Sequence, residues 1–176
     1  MNATDPSTTG YDARAVANWF LDRAEADGRE LNQVQLHKLV YLAHGWHLGN
    51  TGQPLIRGEV QAWPLGPIIP EIYQEFKQYG DAPIQGRAFD YDFLLRRNVD
   101  FRAEFSSEGL RILEKIWRAY GDLSGKDLSD WTAEKGSPWD QVVATPPEVG
   151  GSPKPIPNTA IKGFYDDQVR LIRSRS

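Results

Sequence analysis

The sequence has no cysteine and only three histidines among its 176 residues. The absence of cysteine excludes disulfides, thiolate nucleophiles and cysteine-based zinc sites. No apolar run approaches the roughly 20 residues that a membrane-spanning helix needs. Residues 1–13 contain neither a basic residue nor an apolar core, so they do not form a secretory signal. Together these absences predict a soluble, cytoplasmic protein with no membrane partner.

A surplus of basic charge is also missing, because 20 Lys and Arg residues stand against 24 Asp and Glu residues and the net charge is -4. General nucleic-acid binders usually carry a basic face. The charge therefore argues against that class and mildly favours a basic protein partner. Hydrophobic residues at 40% and charged residues at 25% are ordinary for a globular protein, and the length is that of one domain.

The spacing of apolar residues predicts a mainly α fold. We expect a single compact domain of about six helices around a central buried helix at residues 32–49, with a small β element. The domain should span residues 11–171. A disordered tip at residues 1–10 should precede it, and a tail at residues 172–176 should follow it.

The central helix is predicted to begin after the N-cap residue Asn32 and to end near Gly49. Apolar side chains occupy nearly its whole circumference, which is typical of a buried helix. Only a narrow strip with Lys38 and Gly45 is left to face solvent. A glycine inside a helix costs about 1 kcal/mol relative to alanine, so we expect another backbone to approach closely at Gly45.

Caps, prolines and glycines delimit the other predicted elements. Further helices are predicted from Asp12 to Gly28, from Ile68 or Pro70 to Tyr79, from Ser106 or Ser107 to Gly121, from Ser124 to Lys135, briefly after Ser137, and from Asn158 to Leu171. The remaining segments are predicted as a short extended piece (Leu55 to Trp63), a short helix (Ala88 to Leu95), an edge strand (Val99 to Phe105) and an extended loop (Thr145 to Pro157).

The histidines are the clearest candidates for enzyme chemistry. His37 and His44 are seven residues apart on one helical face, and a carboxylate such as Glu59 could complete a metal-dependent or other hydrolytic site with them. A metalloprotease helix needs two histidines four residues apart with a glutamate after the first, but Gly45 follows His44. Residues 121–127 lack the spacing of a phosphate-binding loop. We therefore predict structural histidines, no metal, no cofactor and no enzyme activity.

The segment WPLGPIIP at residues 63–70 offers apolar side chains on a backbone that its prolines restrict. Rigid apolar anchors lose little entropy on binding and often dominate interface energy, although any one aromatic residue is more often part of a core. We predict a partner-binding surface formed by Trp63, Leu65, Ile68, Ile69, Glu71 and Gln74. The alternative surface is the C-terminal segment with Arg170, Arg173 and Arg175.

A long ordered motif, LxxLxYLAxGWxL, occupies residues 36–48. Further motifs follow it in order: GxPL (52–55), ExxAWxxGPxxPExY (59–73), FKxYG (76–80), YGxxSxxxLS (120–129), SPW (137–139) and IxxxxIxxF (156–164). This set, which covers about residues 11–170, resembles the Panacea domain of the SocA-like antitoxins, some of which are described as phage-associated.

The resemblance implies an antitoxin of a type II toxin–antitoxin system, which neutralises a cognate toxin protein by direct binding in bacterial or phage-infected cytoplasm. Occlusion of the toxin surface is the favoured mechanism, and delivery of the toxin to a cellular protease is the alternative. Some family members carry a DNA-binding module before this domain. We expect none here, because only ten residues precede the first predicted helix. Leu65 stands where the family often has tyrosine, so a contact through that hydroxyl is in doubt.

Overall fold

Helix α2 (Gln33–Thr51) lies at the centre of the fold, and most elements of the computed structural model pack around it. The structure describes residues 9–144 and 151–176. Within that part, the other helices are α1 (Ala13–Ala26), α3 (Pro70–Phe76), α4 (Ser107–Tyr120), α5 (Gly125–Thr132), α6 (Pro138–Val143) and α7 (Asn158–Ser174). The strands are β1 (Gln61–Trp63), β2 (Gly66–Ile68), β3 (Phe89–Asp92), β4 (Arg97–Asp100) and β5 (Lys154–Pro155). The predicted mainly α fold is confirmed.

Local chemistry sets both ends of α2. The Asn32 side chain accepts a hydrogen bond from the Gln35 backbone at 2.9 Å, and the Gln35 side chain accepts one from the Asn32 backbone at 3.1 Å. This capping box satisfies two backbone donors at the start of the helix. The helix runs two residues past the predicted end at Gly49, because the left-handed residue that stops it is Gly52, with a φ of 75°.

The predicted solvent-facing strip of α2 is wrong, because Lys38 and Gly45 are both buried. Lys38 lies beneath strand β2, and Gly45 lies beneath the ring of Tyr165 on α7. The backbone approach expected at Gly45 is wrong, because the ring of Tyr165 makes the close contact there. The backbone of Tyr165 approaches Gly49 instead, where a Cβ would lie 2.8 Å from its carbonyl carbon. Helix α2 packs most extensively against α7 and also contacts α4, α5 and α1. A helix enclosed on so many sides leaves little of its circumference for water.

Strand β1 is the middle strand of a three-stranded antiparallel sheet in the order β2-β1-β5. The register pairs Gln61 with Ile68 and Trp63 with Gly66. The extended piece predicted from Leu55 to Trp63 is a strand only over its last three residues, where half-buried and buried side chains alternate. Strand β5 lies in the predicted extended loop, of which residues 145–150 fall outside the described residues. The sheet therefore joins two parts of the chain that are far apart in sequence.

The short helix predicted from Ala88 to Leu95 is wrong, because strands β3 and β4 form an antiparallel hairpin there. Aromatic and acidic residues alternate in β3 with a period of two, which favours a strand over a helix. Asp92 Oδ1 accepts hydrogen bonds from the backbone of Leu94 and Leu95, each at 2.9 Å, and these bonds order the turn. The predicted edge strand Val99 to Phe105 overlaps β4 only in part.

Three serine caps begin helices α4, α5 and α6. Ser106, Ser124 and Ser137 each accept a hydrogen bond from the backbone three residues later, as their positions predict. Helix α7 runs to Ser174, which takes it into the predicted tail. Of the predicted disordered tip, residues 1–8 fall outside the described residues. Across the described ranges, every helix is too short or too polar to cross a membrane.

Candidate functional site

The predicted partner-binding residues cluster around the β1–β2 hairpin and the helix that follows it. We use "the β1–β2 turn surface" for the five of them that reach solvent: Leu65 and Gln74 are exposed, and Trp63, Ile68 and Glu71 are half-buried. Leu65 lies in the turn between the strands and is 74% exposed. The ring centroids of Trp63 and Tyr73 lie 4.9 Å apart, which joins the hairpin to α3.

Ile69 is the exception among the predicted residues, because its side chain is 0% exposed and belongs to the hydrophobic core. Ile68 and Ile69 are neighbours in an extended segment, so their side chains point to opposite sides. The Ile68 side chain reaches the surface and the Ile69 side chain reaches the core. A charge at Ile69 would be buried without a partner and would destabilise the fold, so this position cannot probe partner binding.

Lys38 supports the β1–β2 turn surface from inside the protein. Its Nζ donates a hydrogen bond to the Pro67 carbonyl at 2.8 Å, and its side chain is 1% exposed. Burial lowers the pKa of Lys38 to about 7. Gly66 passes so close that a Cβ there would lie 3.0 Å from this Nζ, and its φ of 108° also favours glycine. The lysine therefore holds the backbone of β2 in place.

His37 holds the next residues of the same segment in place. Its Nδ1 accepts a hydrogen bond from the Ile69 backbone at 3.3 Å, just before α3 begins. An Nδ1 that accepts a hydrogen bond places the ring hydrogen on Nε2, which is buried and has no partner among the described residues. Burial, followed by the charge on Lys38, lowers the pKa of His37 to about 3. The ring is therefore neutral at physiological pH.

His44 and His47 hold the segment between α2 and β1. His44 Nδ1 accepts from the backbone of Leu55 and Ile56 at 3.3 and 3.4 Å, so its Nε2 donates to Asn158 Oδ1 at 2.9 Å. Burial lowers the pKa of His44 to about 4 despite the opposing effect of that Asn158 hydrogen bond. His47 Nδ1 donates to the Gln53 carbonyl at 2.7 Å. All three histidines thus attach neighbouring backbone to α2.

The histidines do not gather into the metal site considered from the sequence. In residues 9–144 and 151–176, no three His, Asp or Glu side chains lie together as metal ligands, so His37, His44 and Glu59 do not form such a group. Glu59 is exposed and accepts a hydrogen bond from Gln61 Nε2 at 2.8 Å. The ring nitrogens of His44 are already occupied by protein groups. This arrangement supports a structural reading of the histidines.

A second exposed apolar element was not predicted from the sequence. We call it the β3–β4 tip and define it as Phe93, Leu94 and Leu95, which are 82%, 95% and 58% exposed. The ring of Phe93 lies 4.9 Å from that of Tyr91, and the hydrogen bonds to Asp92 order the turn. The signal was the period-two alternation before Asp92, followed by three apolar residues that a solvated turn does not need.

Comparison with known proteins shows which protein family this sequence matches. Residues 36–140 match the family model described as "Antitoxin SocA-like, Panacea domain". A protein named "Antitoxin SocA", from Caulobacter vibrioides (strain NA1000 / CB15N), is 34% identical over 142 residues. The similarity covers 81% of this chain and 74% of that protein. No solved structure gives a significant match.

Proposed function

The chain belongs to the antitoxin SocA-like Panacea domain family, and on this premise we propose that it is an antitoxin of the type II class. In this proposal it binds a cognate toxin protein in the cytoplasm and neutralises it by covering the surface with which the toxin acts. The protein carries out no chemical step itself. The engagement of the histidine nitrogens with backbone and with Asn158 supports this non-enzymatic mechanism.

The binding proposal rests on Leu65, a large exposed apolar side chain on a backbone that buried residues hold in place. Leu65 projects from a turn whose following residues are held by Lys38 and by the ring of His37. On the other strand, the Trp63 carbonyl accepts a hydrogen bond from Trp139 Nε1 at 2.7 Å. Such a turn has little conformational entropy left to lose when a partner binds. We therefore propose the β1–β2 turn surface as a toxin contact.

The function itself is tested by co-expression with the adjacent gene. Expression of the neighbouring protein alone should inhibit growth, and co-expression with this chain should restore it. If the neighbour is harmless when expressed alone, the antitoxin proposal loses its support. Rescue that disappears in a host without its cellular proteases would indicate delivery of the toxin to proteolysis instead of direct occlusion.

The contact surface is tested by Leu65→Asp. We expect this change to weaken toxin binding by about 2 kcal/mol or more, because a central apolar anchor would be replaced by a charge. The melting temperature should change little, since the side chain is mostly exposed. The affinity for the toxin and the melting temperature of the free protein are measured together.

Two further variants serve as controls for this experiment. Leu65→Met keeps the apolar side chain and should bind like the parent. Leu94→Asp makes the same change at the exposed β3–β4 tip and should also leave binding intact. If Leu94→Asp weakens binding while Leu65→Asp does not, the toxin contact lies at the β3–β4 tip and the proposed surface is wrong.

A further inference from the structure

A groove runs along α4, bounded on one side by the C-terminal half of α2 and on the other by α7. We call it the α4–α7 groove. Its volume is about 500 Å³, and its lining comprises Trp46, Asn50, Arg111, Ile112, Lys115, Ile116, Ala119, Tyr120, Val169, Ile172 and Arg173. The residues from α4 recur at intervals of four, so they form a continuous stripe on one face of that helix.

The charged side chains in this lining all have the same sign. They are Arg111, Lys115 and Arg173, and no carboxylate of the described residues lines the groove, although the whole chain has a net charge of -4. Arg111 is paired with Glu108 on its own helix. Lys115 and Arg173 are exposed and make no ion pair within the described ranges. Neither therefore has a direct carboxylate partner, although, after the hydrogen bond from Arg111, the charge of Lys115 helps to lower the pKa of the Glu108 carboxyl.

The floor between these cations is apolar. Ile112, Ile116 and Val169 form it and are themselves buried, while Ile172 is exposed at its edge. Trp46 also lines the groove. An apolar floor with cationic edges differs from a phosphate-binding surface, where polar contacts to the backbone would dominate.

We infer that the α4–α7 groove binds an acidic amphipathic helix of the toxin. The apolar stripe of such a helix would lie on the isoleucine floor, and its acidic flanks would face Lys115 and Arg173. The stripe on α4 from Arg111 to Tyr120 extends over about 14 Å, which equals about nine residues of a docked helix. This inference rests on the proposed antitoxin function and adds the chemistry of the segment that the antitoxin recognises.

The first test uses a designed probe and needs no toxin. The probe is a fluorescently labelled helical peptide of about 14 residues, with leucines at every third or fourth position and glutamates beside them. We expect saturable binding in fluorescence anisotropy. The double variant Lys115→Glu with Arg173→Glu should weaken it at least about tenfold, because like charges would then face each other. Arg118→Glu, an exposed change on α4 outside the groove, is the matched control.

Peptide controls separate this interaction from simple charge attraction. A peptide of the same composition with its leucines scattered around the helix should bind at least about tenfold more weakly, because it offers no stripe to the apolar floor. A peptide with lysine in place of glutamate should not bind. Equal binding of the scattered peptide, or no binding of the probe, would overturn the inference. So would displacement of the probe by a single-stranded RNA oligonucleotide.

The second test uses the intact antitoxin and toxin. The Lys115→Glu and Arg173→Glu double variant should lose at least about tenfold in toxin affinity with an unchanged melting temperature, while Arg118→Glu should bind like the parent. Unchanged affinity in a pair that still shows growth rescue would overturn the groove assignment and leave the antitoxin function standing. A neighbouring protein that proves harmless would instead remove the function, and with it the assignment of the helix to a toxin.

Discussion

Replacing Gly45 by alanine is expected to lower the free energy of unfolding by about 2–3 kcal/mol, although alanine is the better helix former. A Cβ at this position would lie within 2.6 Å of three atoms of the Tyr165 ring. That ring is buried and contacts Trp46, whose centroid lies 5.4 Å away, and Phe164, at 5.2 Å. It has no free space to move into, so the clash would push α7 away from α2.

The same change at Gly163 is the matched control for this prediction. Gly163 is also helical and lies on α7, but a Cβ there would meet no atom within 4 Å. Gly163→Ala should therefore stabilise the protein by about 0.5–1 kcal/mol through helix propensity alone. Chemical denaturation measures both changes. If Gly45→Ala is as stable as the parent, the close contact between α2 and α7 does not limit the side chain at this position.

Replacing Lys38 by methionine is expected to raise the free energy of unfolding by about 2 kcal/mol at pH 7.5. Burial lowers the pKa of Lys38 to about 7 in the folded protein, whereas an unfolded lysine titrates near 10.4. Below the pKa of the unfolded lysine, folding must either bury a charged amine away from water or release its proton. Methionine avoids this cost but leaves the Pro67 carbonyl without its hydrogen bond, which offsets part of the gain.

The stability difference between Lys38→Met and the parent should depend on pH. Between about pH 7 and 10.4 the unfolded chain binds the proton of Lys38 more tightly than the folded protein does, so the stability of the parent rises with pH in that window. From pH 7.5 to 9.5 the stability of Lys38→Met relative to the parent should therefore fall by about 2.5 kcal/mol, so that the parent becomes slightly the more stable protein at pH 9.5. Lys135→Met, which removes an exposed lysine, controls for loss of charge. A pH-independent advantage would show that the buried amine does not titrate in this range.

Sequence reasoning succeeded where a few neighbouring residues determine the structure. The N-caps at Asn32 and Ser124 act over three residues, so they can be identified directly from the sequence. The all-round apolar pattern of α2 likewise identified the centre of the fold. The three histidines were expected to be structural, and each is buried with a ring nitrogen bonded to neighbouring backbone.

Sequence reasoning failed where a partner distant in sequence decides the outcome. Lys38 was placed in solvent because lysine usually is exposed, but its acceptor is a carbonyl 29 residues away. Ile69 was assigned to a binding surface because its apolar neighbours suggested one, and only the packing of β2 and α3 shows that it is in the core. The β3–β4 hairpin is a different case, because the alternation in β3 and the turn bonds to Asp92 are local in sequence and were misinterpreted as a helix.

The dependence of α2 on α7 has a consequence for the order in which the newly made chain can fold. At a synthesis rate of about 5–20 residues per second, the roughly 100 residues between these helices take about 5–20 s to translate. During that interval the side of α2 that will lie against Tyr165 has no partner, and β1 still lacks strand β5. A nascent chain with an uncovered apolar helix is a substrate for chaperones and proteases. The amount of full-length folded protein therefore depends on how long the ribosome-bound chain survives, as well as on how often its gene is transcribed.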